Sequence, residues 1–455
     1  MTADGEHAEG LADLGAAEAA RRIRDGEITS EDLVGACLAR IEETDEPIQA
    51  WTYLNPDHAL EQARQADAAR QAGPGQGPLH GVPVAVKDIF DTRDMPTENG
   101  SPLDAGRTPL RDATVVSLLR EAGAVIMGKT VTTEFAVYHP GKTANPHDPT
   151  RTPGGSSSGS TAAVAAGMAP LALGSQTNGS VIRPAAFCGV VGYKPTHGLI
   201  SRHGILALSR PVDTVGVFAR SVEDAALMAD CLTAYDARDP DMAPHGRPRL
   251  GEVAAQEPPV TPSLAFVKSP VWDKTEPDTR AAFAELTEVL GAACDEVDLP
   301  EPFDRAVAMH RAIMTADLAK SLAPYYDRGR EQISPVLRGM IEAGQTVTAV
   351  DYNRAVDGIE ILNAGLDPLF DSYDAILTPA AAGEAPLGLD ATGDPVFCTI
   401  WTLCGTPAIT LPLLSGSNGM PMGVQLVGKR GDDARLLRTA RWLTGHVHDA
   451  ATVTP

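Results

Sequence analysis

Residues 152 to 195 read TPGGSSSGSTAAVAAGMAPLALGSQTNGSVIRPAAFCGVVGYKP, and no other stretch constrains the chain as much. Two Gly/Ser-rich turns, Gly154 to Ser160 and Gly174 to Ser180, bracket an Ala/Val run. Thr161 to Ala166 contains no breaker and stops at Gly167, the pattern of a short helix with a glycine terminus. Ser156 to Ser158 then fall at or just before its N-terminus, where unpaired backbone N–H groups collect. Thr177-Asn178-Gly179-Ser180 can aim successive N–H groups at one point, which is how an oxyanion hole is built. A serine ending such a turn is placed to be a nucleophile. Pro184, the apolar run Phe187 to Val191 and Lys194-Pro195 close the segment.

Rival readings of GGSSSGS fail on context. A flexible linker would not feed directly into an Ala/Val helix and a second turn. A nucleophile elbow centred on Ser157 needs a strand before it, and NPHDPTRTP is no strand. The lysine of a phosphate loop is missing.

A serine hydroxyl attacks amides poorly unless a base takes its proton. Lysine can serve when burial lowers its pKa, because desolvation disfavours the ammonium form. Lys87 follows the apolar VPVAV, which suits such a site; its bland alternative is a surface pair with Asp88. Lys129 and Lys194 also sit in apolar or Gly/Pro-bounded segments.

Taken together, GGSSSGS, GSQTNGSVIRPAAFCG, GYKPT and the upstream GVPVAVKDIF resemble the amidase signature family of serine hydrolases. The resemblance implies a single domain over residues 1–455, with its core at about 79–232 and C-terminal strands at about 375–413. It implies a variable helical pocket wall at about 277–365. It also implies an α/β fold, a mixed and mostly parallel sheet with helices on both faces. Matched by position, the triad is Lys87, Ser156 held by a cis peptide, and the nucleophile Ser180. Thr177, Asn178 and Gly179 form the oxyanion hole, and neither cofactor nor metal is implied. The expected reaction is hydrolysis of a linear amide, or a related carbamate or ester, through an acyl-enzyme. The A subunit of a glutamyl-tRNA amidotransferase and a non-catalytic binding member of the fold are the alternatives. Gln176 and Asn178 stand where the family usually has Asp and Gly. Asn tolerates left-handed backbone best among non-glycine residues, so Asn178 is expected there.

Composition narrows the partners. The net charge is −23 and no basic patch stands out. Phosphate-backbone binding needs clustered Lys/Arg, so a small-molecule substrate without nucleic acid is expected, with a homodimer allowed. The six cysteines form no CxxC pair, MTADGEHAEG is no signal peptide, and no apolar run approaches a membrane span. A soluble cytoplasmic protein with reduced thiols follows. His139, His147, His197 and His203 bracket the core segment without an HExxH or a compact ligand set. Arg183 is expected to pair with a carboxylate such as Asp213. Phe135, Tyr138, Met314 and Trp401 are candidates for the acyl pocket.

Elsewhere, strand signals at Trp51 to Leu54, Val82 to Val86, Val125 to Met127, Ser263 to Val267, Ala375 to Thr378 and Thr406 to Leu413 alternate with helical stretches, the pattern of an α/β fold. Thr29 with Asp32 predicts a capping box, and Asn55-Pro56 a helix start.

Overall fold

A computed structural model describes residues 10–73 and 77–453, so most of the MTADGEHAEG segment and part of the loop after Gly73 lie outside the described residues. Eleven strands form one sheet: β1 (Trp51–Leu54), β2 (Pro83–Lys87), β3 (Val125–Thr130), β4 (Leu171–Gln176), β5 (Val191–Lys194), β6 (Thr214–Ala219), β7 (Leu264–Val267), β8 (Cys294–Val297), β9 (Ala375–Pro379), β10 (Ala408–Ser415) and β11 (Pro421–Val427). Their spatial order is β1-β3-β2-β4-β6-β5-β10-β11-β9-β7-β8.

The sheet is mixed, as expected, but parallel pairing is confined to two places. β2 pairs in parallel with β3 and β4, and β7 with β8 and β9. The other ladders, from β4 through β6, β5, β10 and β11 to β9, and β1 with β3, are antiparallel. Every residue of β2, β3, β4 and β6 is buried. Strands buried at every position have both faces covered. Helix Pro56–Ala72 packs on β3, Val222–Leu232 on β6, and Ile182–Cys188 on β10 and β11.

Local signals act where they were read. Thr29 and Asp32 form a reciprocal capping box on the helix Ser30–Ile48, and Asn55 caps Pro56–Ala72. Helix Ser158–Ala165 follows the Gly/Ser turn. One segment differs: Phe187 and Cys188, read as the start of an apolar run, end the helix Ile182–Cys188, which has Pro184 in its first turn, where its missing N–H breaks no bond.

Candidate active site

β2 ends on Lys87, and β4, its parallel neighbour, ends on Gln176. The carboxyl ends of both strands therefore reach the same edge, and the turns that follow meet there. Lys87 is fully buried and its Nζ lies 2.8 Å from Ser156 Oγ, 2.9 Å from Ser175 Oγ and 3.1 Å from Ser157 Oγ. Desolvation pushes its pKa well below the ordinary lysine value, with Asp213 pulling weakly the other way. Asp88 pairs with Lys129 at 3.2 Å instead, so the surface-pair alternative does not apply.

A neutral amine has two N–H bonds and one lone pair. Ser157 donates its own proton to the Ser175 carbonyl, so toward Lys87 it is an acceptor. The Ser156 proton carries no such commitment and can enter the lone pair. Ser156 follows a cis peptide bond from Gly155 and lines one small cavity together with Ser180. Ser180 makes no side-chain hydrogen bond among the described residues, so its hydroxyl is free to turn.

The turn between Gln176 and Ser180 is pinned from several directions. Gln176 Oε1 accepts from the Val181 and Ile182 N–H groups at 2.8 and 3.0 Å, while its Nε2 donates to Thr402. The amide thus supplies the acceptor that an aspartate would. Thr177 Oγ1 donates to Asp213, and its carbonyl accepts from His310 at 2.8 Å. Burial raises Asp213 to about 6 and lowers His310 to about 4. Thr402 donates to the Asn178 carbonyl. A Cβ on Gly179 would lie 2.8 Å from Pro395 Cβ, so the close approach of the turn to helix Val396–Leu403 requires glycine. The carbonyls of Thr177 and Asn178 are engaged by His310 and Thr402, and the N–H groups of Thr177, Asn178, Gly179 and Ser180 have no acceptor among the described residues.

Several expectations need correction. Asn178 is not left-handed; positive φ in this corner falls on Phe135 and Ala136 instead. Two hydrogen bonds of its carboxamide, to Tyr138 and Thr399, hold it without that geometry. Arg183 does not pair with Asp213. Its guanidinium donates to the Gly155 and Gly393 carbonyls, both at 2.6 Å, because those carbonyls face it inside the core. Of the pocket candidates, Tyr138 and Met314 line the cavity. Trp401 is core, and Phe135 packs on Tyr325. Lys129 and Lys194 are buried on backbone carbonyls, and His147 and His197 also bond carbonyls.

Sequence reasoning missed Ser157, Ser175, Asp213 as the partner of Thr177, His310, Thr399 and Thr402. Only Ser157 and Ser175 carried a signal, as hydroxyls beside the matched motifs.

The family model for Amidase matches residues 32–437. The chain belongs to the amidase family. The A subunit of the glutamyl-tRNA(Gln) amidotransferase of Chloroflexus aurantiacus is 36% identical, covering 91% of this chain and 92% of its own. Its counterpart from Thermobifida fusca is 35% identical, covering 93% and 94%. Among solved structures, the peptide amidase of Stenotrophomonas maltophilia superposes with a TM-score of 0.85 at 28% identity, covering 96% of this chain and 98% of that one. A vestigial protein complex that bears on the origins of an s-triazine catabolic enzyme gives 0.89 at 29%, covering 95% and 98%. The amidotransferase relatives overturn the expectation of a small-molecule partner without nucleic acid, since they are parts of an enzyme that acts on a tRNA. Net charge misled because it is a sum over one chain, and in an assembly a different chain can hold the RNA.

Proposed function

We propose that the protein cleaves a carboxylic amide through an acyl-enzyme on Ser180. The observation that carries this is the buried amine of Lys87, 2.8 Å from a serine that shares a cavity with Ser180. Neutral Lys87 takes the proton of Ser156, and Ser156 takes that of Ser180 as its Oγ attacks the carbonyl carbon. The N–H groups of residues 177 to 180 hold the oxyanion. As the tetrahedral intermediate collapses, the C–N bond breaks and the proton returns through Ser156 to the leaving amine. Water then attacks the ester by the same relay in reverse. A fluorophosphonate should label Ser180; an adduct on Ser157 would sink the assignment.

The amidotransferase relatives, matched along more than nine-tenths of both chains, support an amidotransferase setting with protein partners and a glutamyl-tRNA. We place the protein in the cytoplasm, with which its six unpaired cysteines are consistent. Tagged protein purified from its own host at low salt should bring down at least one further protein. Elution alone, with full turnover of simple amides, would favour the second reading, a free-standing amidase, which the peptide amidase neighbour supports.

A further inference from the structure

The cavity beside Ser180 encloses about 20 Å³, room for about one water molecule. Ala136, Val137, Leu208, Met314 and Leu318 give it an apolar wall, and Tyr138 closes the side next to Asn178. The Arg183 guanidinium also borders it, but three of its hydrogen bonds go to the Gly155 and Gly393 carbonyls and Thr392. The tyrosine is not loose. Asn178 Nδ2 donates to the Tyr138 hydroxyl at 2.9 Å, and Asn178 Oδ1 accepts from Thr399 at 2.7 Å. Thr399 lies on the buried helix Val396–Leu403. The carboxamide therefore ties the phenol to the core through the oxyanion turn. A glycine at 178 has no side chain to form the tie.

We infer that Asn178 sets the depth of the acyl site, and that the group bound there is short. This rests on the reading of Ser180 as nucleophile and holds in either setting proposed above. Met314 has three rotatable bonds and can yield a little. Tyr138 cannot swing without breaking its bond to the Asn178 carboxamide, which Thr399 in turn holds in place. A longer acyl chain then meets the ring.

Alkanesulfonyl fluorides of increasing chain length test this without any partner. Ser180 Oγ bonds to sulfur, fluoride leaves, and the hydroxyl proton passes to Ser156 and Lys87. The readout is the rate of adduct formation on Ser180, mapped by mass spectrometry, for methane-, butane- and hexanesulfonyl fluoride. In the unmodified protein the rate should fall at least tenfold from methane to hexane. Asn178→Gly and Tyr138→Ala should each reduce that fall to under threefold. Thr399→Val, which removes the far anchor and leaves the turn intact, should move the same way. A rate on Ser180 that ignores chain length overturns the inference alone, as does a fall that all three variants preserve. No adduct on Ser180 at any length removes the nucleophile, and the inference with it.

Discussion

Replacing Lys87 by Met tests whether the buried amine is neutral in the folded protein, which the proposed chemistry requires. The variant keeps a side chain of similar length and has no proton to lose. Burial depresses the folded pKa of Lys87, while in the unfolded chain it returns to about 10.4. Between those two values the unfolded state binds one proton more than the folded state. Stability of the parent therefore rises with pH across that window, by about 1.4 kcal/mol per unit. Lys87→Met has no such slope. The methionine loses three hydrogen bonds, each worth about 1 kcal/mol, but it also removes the cost of holding the amine uncharged. The absolute difference at one pH is thus ambiguous, whereas its pH dependence is not. Urea unfolding at pH 7 and pH 9 should show the parent gaining on the variant, by at most about 2.7 kcal/mol over the two units. Activity should fall by about 10²–10⁴ at both values, the usual cost of losing a general base. A stability gap that does not change with pH would mean that Lys87 is an ammonium in the fold, and the relay could not start.

Ser180→Ala should abolish turnover and leave the circular dichroism spectrum unchanged. Ser157→Ala removes an acceptor for one Lys87 N–H and should lower kcat by about tenfold, the effect of about 1.4 kcal/mol of misorientation; an unchanged kcat would show that the other hydroxyls suffice. Gln176→Met leaves the Val181 and Ile182 N–H groups unpaired, at roughly 1–3 kcal/mol each, so its midpoint in urea should drop clearly.

The placement of Lys87, Ser156 and Ser180 was legible because its signals are local. Lys87 ends an apolar strand, Ser156 follows a glycine pair just before the helix Ser158–Ala165, and Ser180 ends a polar turn. Helix starts at Thr29 and Asn55 were legible for the same reason. β4 and β6 were not, because Gly174 and Gly216 interrupt short runs that carry no alternation. Gly174 reads as turn, yet it pairs with Gly216 inside a continuous ladder. The pins on the oxyanion turn were not legible either. Asp213, His310, Thr399 and Thr402 lie from 36 to 224 residues away from their partners, and nothing around them marks a destination.

The site also depends on one choice of strand direction. Lys87 and Ser175 can meet only because β2 and β4 run in parallel, with Val86 opposite Leu173. Strands of this length span about 17 Å, so an antiparallel pair would put the amine and the Ser175 hydroxyl near opposite edges of the sheet. Parallel neighbours need a long crossover, and here it contains β3, the Gly/Ser turn and the helix Ser158–Ala165. The same crossover that makes the pairing possible thus carries Ser156 and Ser157 to Lys87. On the other side β4 turns antiparallel to β6, and the residues just before β6 bring Asp213 back beneath Thr177. Parallel pairing brings Lys87 and the serines together and antiparallel pairing braces the turn from Thr177 to Ser180, so the mixed sheet is a requirement of this arrangement.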